Sequence, residues 1–335
     1  MADIVILGSG GWGIALGISA YDCGNRVTLW TPFRDEAEEL LKNRESKKLL
    51  KDIKIPKDIN ITTDITVCEG ADMVISAVPS LAIEETMQRL SAVPNVNLIV
   101  NVAKGLDKNS CRRLSELIED YFPKADIVVL SGPSHAEEVA LHEPTSLVAA
   151  SKSVEAAEFV QKTLMSQTLR IYTGEDVVGV ELGGAFKNII AVAAGICDGI
   201  GLGDNPKAAL ITRGLTEIAR LGVKLGANKE TFTGLTGLGD LIVTCTSVHS
   251  RNHRFGELVG KGVSVDEALK TVGTVEGYHA ARLAHVLAER EGVEMQITEA
   301  VYMMLYESRN IEDMVKYLMT RPGKAEHEKS WLTNP

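Results

Sequence analysis

The chain has 335 residues, 45% of them hydrophobic and 24% charged, which is enough for two packed domains and excludes a disordered chain. Its 35 Lys and Arg stand against 45 Asp and Glu, a formal net charge of −10, so partnership with nucleic acid or an anionic membrane is disfavoured and an anionic ligand must be held by local groups. Five scattered cysteines (Cys23, Cys68, Cys111, Cys197, Cys245) include no C-x-x-C pair, which excludes the usual zinc spacings and fits a reducing compartment.

Met1-Ala2-Asp3 runs directly into Ile4-Val5-Ile6-Leu7, without the basic start and longer apolar stretch of a signal peptide. A cytoplasmic protein is expected. The first predicted strand, Asp3–Leu7, is followed by Gly8-Ser9-Gly10-Gly11-Trp12-Gly13, then a helix over Trp12–Cys23 and a second strand over Arg26–Trp30. G-x-G-x-x-G alone is a weak signal, but between a strand and a helix it is the dinucleotide fingerprint. Gly8 permits the tight turn, Gly10 lets a pyrophosphate approach the backbone, and Gly13 allows helix and strand to pack closely. The helix start offers free N–H groups and positive dipole for phosphates. At the end of the second strand, Trp30-Thr31-Pro32-Phe33-Arg34 lacks the carboxylate that an NAD-selective site often carries. Arg34 can pair with a 2′-phosphate, so NADP as well as NAD is expected; an ordinary exposed charge is the plainer reading of Arg34.

Helices over Asp35–Asn43, Leu81–Leu90, Cys111–Tyr121 and Val154–Met165 alternate with strands over Met73–Ala77, Leu98–Val102, Ile127–Leu130 and Ser146–Ala150. Uniformly apolar strands separated by helices predict a parallel sheet covered on both faces, hence a doubly wound Rossmann domain with ligands at the carboxyl ends of its strands. Lys104 and Ser131-Gly132-Pro133-Ser134-His135-Ala136 both fall at such ends.

After about residue 175 strand patterns cease, and the domains are expected to be 1–180 and 181–335, the second mostly α-helical. Lys187, in Glu181-Leu182-Gly183-Gly184-Ala185-Phe186-Lys187-Asn188, shares a helix face with Ala191, Ala194 and Asp198, short neighbours that would leave room for a small molecule. Partial burial would lower its pKa and suit it to proton transfer, although a snorkelling lysine gives the same pattern. The apolar stretch Ile189–Cys197 is read as too short to span a bilayer. Asn205-Pro206 predicts a helix N-cap and first residue, with helical spacing up to Gly226; further helices are expected over Val265–Val272, His279–Glu291, Thr298–Glu307 and Ile311–Met319. Gly234-Leu235-Thr236-Gly237-Leu238-Gly239-Asp240 lacks a P-loop ending, and Asp240 is placed to orient an ammonium. His249-Ser250-Arg251-Asn252-His253-Arg254 is a cationic, donor-rich cluster suited to phosphate. No metal is expected there, since the two histidines lack an adjacent carboxylate or thiolate. The polar tail beyond Arg321 is expected to be partly mobile.

In this order, the fingerprint, Ser131-Gly132-Pro133-Ser134, Glu181-Leu182 with Phe186-Lys187-Asn188, Gly237-Leu238-Gly239-Asp240-Leu241 and Ser250-Arg251-Asn252 resemble the bacterial NAD(P)-dependent glycerol-3-phosphate dehydrogenases. The resemblance runs from the first strand to about Arg309. It implies reversible oxidation of sn-glycerol 3-phosphate to dihydroxyacetone phosphate, reduction supplying the backbone of phospholipids. It implies Lys187 as proton acceptor with Asp240 as its partner. Lys104 would contact both cofactor and substrate; Gly132, Ser134, Asn188, Ser250, Arg251 and Asn252 would surround the phosphorylated substrate. Ser9, Gly11, Trp12, Arg34, Ala136, Arg251, Val275 and Glu276 would join Gly8, Gly10 and Gly13 at the cofactor. A 6-phosphogluconate- or 2-hydroxyacid-type dehydrogenase is the nearest rival, and an NAD(P)H-binding regulator the rival of another class. The apolar helical surface of the second half suggests a homodimer.

Overall fold

The computed structural model describes residues 1–46, 49–323 and 325–326. The elements run β1 (Asp3–Leu7), α1 (Gly11–Asp22), β2 (Arg26–Trp30), α2 (Arg34–Asn43), β3 (Asn60–Thr62), β4 (Met73–Ser76), α3 (Ile83–Leu90), β5 (Leu98–Asn101), α4 (Leu114–Tyr121), β6 (Asp126–Ser131), α5 (Ala136–Ala140), β7 (Thr145–Ser151), α6 (Val154–Leu164) and β8 (Leu169–Gly174). One eight-stranded sheet results, ordered β3-β2-β1-β4-β5-β6-β7-β8. The first six strands are parallel, in the 3-2-1-4-5-6 order of a dinucleotide-binding fold. Residues alternate between its faces: Ile4 and Ile6 join the core beneath α1 and α6, whereas Val5 and Leu7 join that beneath α3 and α4.

The all-parallel expectation fails at β7, which runs antiparallel to β6. An apolar run reports burial of both faces, not direction. The connection from β6 holds only the five-residue α5, so the chain doubles back beside β6 without a full crossover helix. The edge strands β3 and β8 escaped the sequence reading because they carry exposed polar residues on one side.

Beyond β8 come α7 (Val177–Gly199), α8 (Asp204–Lys224), a π-helical turn (Leu235–Gly239), α9 (Asp240–Thr246), α10 (Arg251–Gly260), α11 (Val265–Val272), α12 (Glu276–Glu291), α13 (Gln296–Tyr306) and α14 (Ile311–Met319). α7 is the axis, packed against α8, α10 and α12. Its 23 residues correct the sequence reading of a short apolar stretch: by length and composition it is able to cross a membrane, yet 94% of its apolar window is buried inside the fold. The room expected beside Ala191 and Ala194 is absent as well, because both are fully buried among helices. Small residues there serve close packing: a Cβ on Gly195 would stand 2.0 Å from the His253 carbonyl of α10. α8 starts two residues early, at Asp204, with Gly203 as N-cap and Pro206 inside the first turn, where its missing N–H is equally harmless. Most of the tail beyond Arg321 lies outside the described residues.

Candidate active site

The fingerprint loop fits a dinucleotide glycine by glycine. Gly8 turns with φ +115°, and a Cβ there would lie 2.8 Å from the Ala77 carbonyl. A Cβ on Gly13 would meet the Gly8 carbonyl at 2.1 Å, so α1 can start only this close to β1 with glycine in place. Gly10 has nothing within 4 Å of such a Cβ: its side faces open space, the approach a pyrophosphate needs. Gly10 caps α1 without a side-chain bond, leaving first-turn N–H groups for an anion. Ser9 is buried, Trp12 packs partly on the sheet core, and Ala136 lies 3.7 Å from a Cβ placed on Gly11, so α5 borders the same groove. Arg34 stands apart. It is 86% exposed and pairs with Glu38 at 2.9 Å, one turn along α2.

Lys104, Lys187 and Asp240 come from three separate segments and meet. Lys104 follows β5; its Nζ donates to Asp240 Oδ2 at 2.7 Å and to the Gly132 carbonyl at 2.8 Å. Lys187 Nζ donates to Asp240 Oδ1 and to Thr244 Oγ1, both at 2.5 Å. Gly183 of α7 makes this possible: a Cβ there would stand 2.8 Å from the Thr236 carbonyl of the π-turn that presents Asp240. Asp240 is 1% and Lys187 5% exposed.

Electrostatics follow from that burial. Loss of water pushes Lys187 down to about 8; Asp240 pulls it up, while Lys104 pushes it further down. Burial works to raise the Asp240 carboxyl, but the two ammonium groups outweigh it and hold it below the ordinary carboxylate range. Asp240 is thus a fixed anion between two cations. Thr244, which sequence reading missed, donates to the Asp240 carbonyl at 2.6 Å and so accepts from Lys187. Its signal was available: four residues after Asp240, it shares that residue's helix face.

A second chain of contacts links α7, α10 and α12. Asn252 donates to Asn188 Oδ1 at 2.9 Å and accepts from the Gly277 N–H at 2.8 Å. Ser250 caps α10 by accepting the His253 N–H, leaving Arg251 exposed at the helix start. The Ser134 hydroxyl donates to the Gly132 carbonyl at 3.0 Å. Glu276 accepts from the Ser80 hydroxyl at 2.7 Å, tying α12 to the turn after β4; burial raises its carboxyl despite Ser80 and Arg251. Val275 packs its side chain into the helical core, so it can offer a ligand only its backbone. His253 is taken by Asp198 at 2.7 Å, and among the described residues no group of His, Cys, Asp or Glu is placed to hold a metal.

Two family models match, the N-terminus of NAD-dependent glycerol-3-phosphate dehydrogenase over residues 3–157 and its C-terminus over 176–316. The glycerol-3-phosphate dehydrogenase [NAD(P)+] of Clostridium perfringens strain SM101 is 48% identical over 329 residues, 97% of this chain and 99% of that protein. The chain belongs to the glycerol-3-phosphate dehydrogenase family. A protein of the same description from Bacillus subtilis strain 168 is 48% identical over 342 residues, covering 100% of this chain and 98% of its own. The crystal structure of glycerol-3-phosphate dehydrogenase from Coxiella burnetii superimposes with a TM-score of 0.92 at 37% identity, over 96% of this chain and 99% of that one.

Proposed function

We propose that this chain interconverts sn-glycerol 3-phosphate and dihydroxyacetone phosphate with NAD(H) or NADP(H), in the cytoplasm, with reduction supplying glycerol 3-phosphate for phospholipid synthesis. Family membership supports the reaction. One observation carries the mechanism: Lys187 is a buried ammonium with two of its three N–H groups taken, by Asp240 and Thr244, and the third without a partner among the described residues. Residues 1–180 would hold the dinucleotide through Gly8, Ser9, Gly10, Gly11, Trp12 and Gly13, with Lys104, Ala136, Arg251, Val275 and Glu276 bordering it. Residues 181–335 would supply most of the substrate site. When bound, the nicotinamide exchanges a hydride with the carbon that carries the reacting oxygen.

The protein's own part is charge and proton control. Lys187 holds a proton on Nζ toward the oxygen of the ketone; in the reverse direction its neutral amine takes the hydroxyl proton. A positioned group of this kind contributes roughly 10²–10⁴-fold. Lys104 places a second positive charge beside that oxygen, and Asp240 fixes both nitrogens so that neither turns away. Ser250, Arg251 and Asn252 would hold the phosphate, with Gly132, Ser134 and Asn188 bordering the substrate. Loss of nicotinamide absorbance on adding dihydroxyacetone phosphate to enzyme and NADPH is expected; oxidation of 6-phosphogluconate or of unphosphorylated 2-hydroxyacids in its place would favour the rival dehydrogenases, and binding without turnover would favour a regulator. A homodimer is also inferred, from exposed apolar side chains of the helical half such as Val248 and Met319, and light scattering of the purified protein tests it.

A further inference from the structure

Two buried polar atoms beside this site have no hydrogen-bond partner among the described residues, Ser131 Oγ and His135 Nε2. Ser131 Oγ is sealed in the seam with α7, 3.0 Å from where a Cβ on Gly184 would stand. His135 is different. It caps the start of α5, and its ring lies opposite His249, with centroids 5.9 Å apart, so it is set against the loop that leads into Ser250 and Arg251. Burial first, then Lys187 and more weakly Lys104, hold its imidazole below the ordinary value, with Glu138 and Glu137 pushing the other way. At neutral pH it is therefore uncharged, with one N–H donor and one acceptor nitrogen. An enclosed ring nitrogen without a partner is the kind of group that a ligand completes.

In the proposed substrate, Lys187 and Lys104 serve the reacting oxygen, and Ser250, Arg251 and Asn252 serve the phosphate. One polar group is left, the terminal hydroxyl on the far carbon. We propose that His135 Nε2 hydrogen-bonds this hydroxyl, making His135 the residue that distinguishes a hydroxymethyl ketone from a methyl ketone. The inference rests on the glycerol 3-phosphate reading of the same site. A neutral imidazole suits a hydroxyl, which both donates and accepts, better than it suits a second anion.

The test pairs a substrate deletion with a side-chain deletion. Parent enzyme and His135→Phe are each assayed with NADPH on dihydroxyacetone phosphate and on hydroxyacetone phosphate, which keeps the ketone and phosphate but lacks the terminal hydroxyl. The parent should prefer the hydroxylated compound by about tenfold or more in kcat/KM, because the analogue leaves His135 unpaired. In His135→Phe that preference should shrink to about threefold or less, and His135→Asn, which keeps a donor and an acceptor, should regain part of it. Equal preference in parent and His135→Phe would overturn the assignment, as would weakened NADPH binding with the preference unchanged, which would place His135 at the cofactor. A parent that reduces both compounds equally well refutes it without any variant. A parent that reduces neither compound overturns the underlying glycerol 3-phosphate reading itself.

Discussion

Asp240→Asn preserves shape and removes the charge that two ammonium groups share. In the parent, Lys187 titrates near 8, so at pH 7 its charged form is favoured by one pKa unit, about 1.4 kcal/mol. Unit charges about 4 Å apart near a protein site interact by about 4 kcal/mol, or about three units. Losing that attraction leaves the buried Lys187 and the half-buried Lys104 side by side as cations, and the cheapest escape is for Lys187 to give up its proton. The fold should survive as a result, while at least half of the charged proton donor is lost at neutral pH. Reduction needs charged Lys187, so kcat/KM for dihydroxyacetone phosphate falls as pH rises through the Lys187 pKa. In the parent that limb should lie near pH 8; in Asp240→Asn it should move at least one unit, and up to about three, toward acid. Stopped-flow or steady-state kcat/KM from pH 5 to about 9.5 with NADPH reads the shift directly. A limb that stays near pH 8 in a folded Asp240→Asn enzyme would refute the electrostatic argument.

Arg251→Ala should raise KM for the phosphorylated substrate by about tenfold or more, since hydrogen bonds to charged groups are worth about 1.5–3 kcal/mol; an unchanged KM removes Arg251 from the phosphate site. Arg34→Glu should penalise NADPH more than NADH, read as the ratio of their kcat/KM values; an unchanged ratio leaves Arg34 as the partner of Glu38 alone. Glu217 of α8 accepts the Ile297 and Thr298 N–H groups that start α13, and burial pushes its carboxyl from 4.5 up to about 7. With the folded value raised, its stabilisation is complete below about pH 4.5 and is lost as pH rises through about 7, some 3 kcal/mol in all. Glu217→Gln should flatten that part of the stability–pH curve in urea melts, and parallel curves would contradict the assignment.

Much of this was legible in the sequence, and the rest was hidden for identifiable reasons. Gly8, Gly10 and Gly13 have tasks that follow from their spacing between a strand and a helix, and the structure shows the turn, the open side and the close packing in turn. Lys187 stood out because a cation inside an apolar helix needs a partner. That same cation disguised the helix, however: it broke the apolar run, so a 23-residue core element read as a short segment. Strand direction at β7 was not encoded in its composition. Asp240 was readable as a partner, but not as the bridge between two lysines 83 residues apart in sequence, because Lys104 and Lys187 share no local pattern. The buried clamp of Glu181 to Ser115 and Arg113 was equally silent, since a lone Glu at a helix start looks like an ordinary dipole partner.

The central claim is that Lys187 moves the proton. Lys187→Met keeps length and apolar stem in the buried site while removing the titrating group. NADPH affinity, measured by fluorescence titration, should change little, because the fingerprint lies on β1 and α1. Turnover should fall by at least about 10²-fold in both reaction directions, and the ionisation near pH 8 should vanish from the residual rate. A folded, NADPH-binding Lys187→Met enzyme that retains near-parent turnover would contradict the account and pass the proton to Lys104.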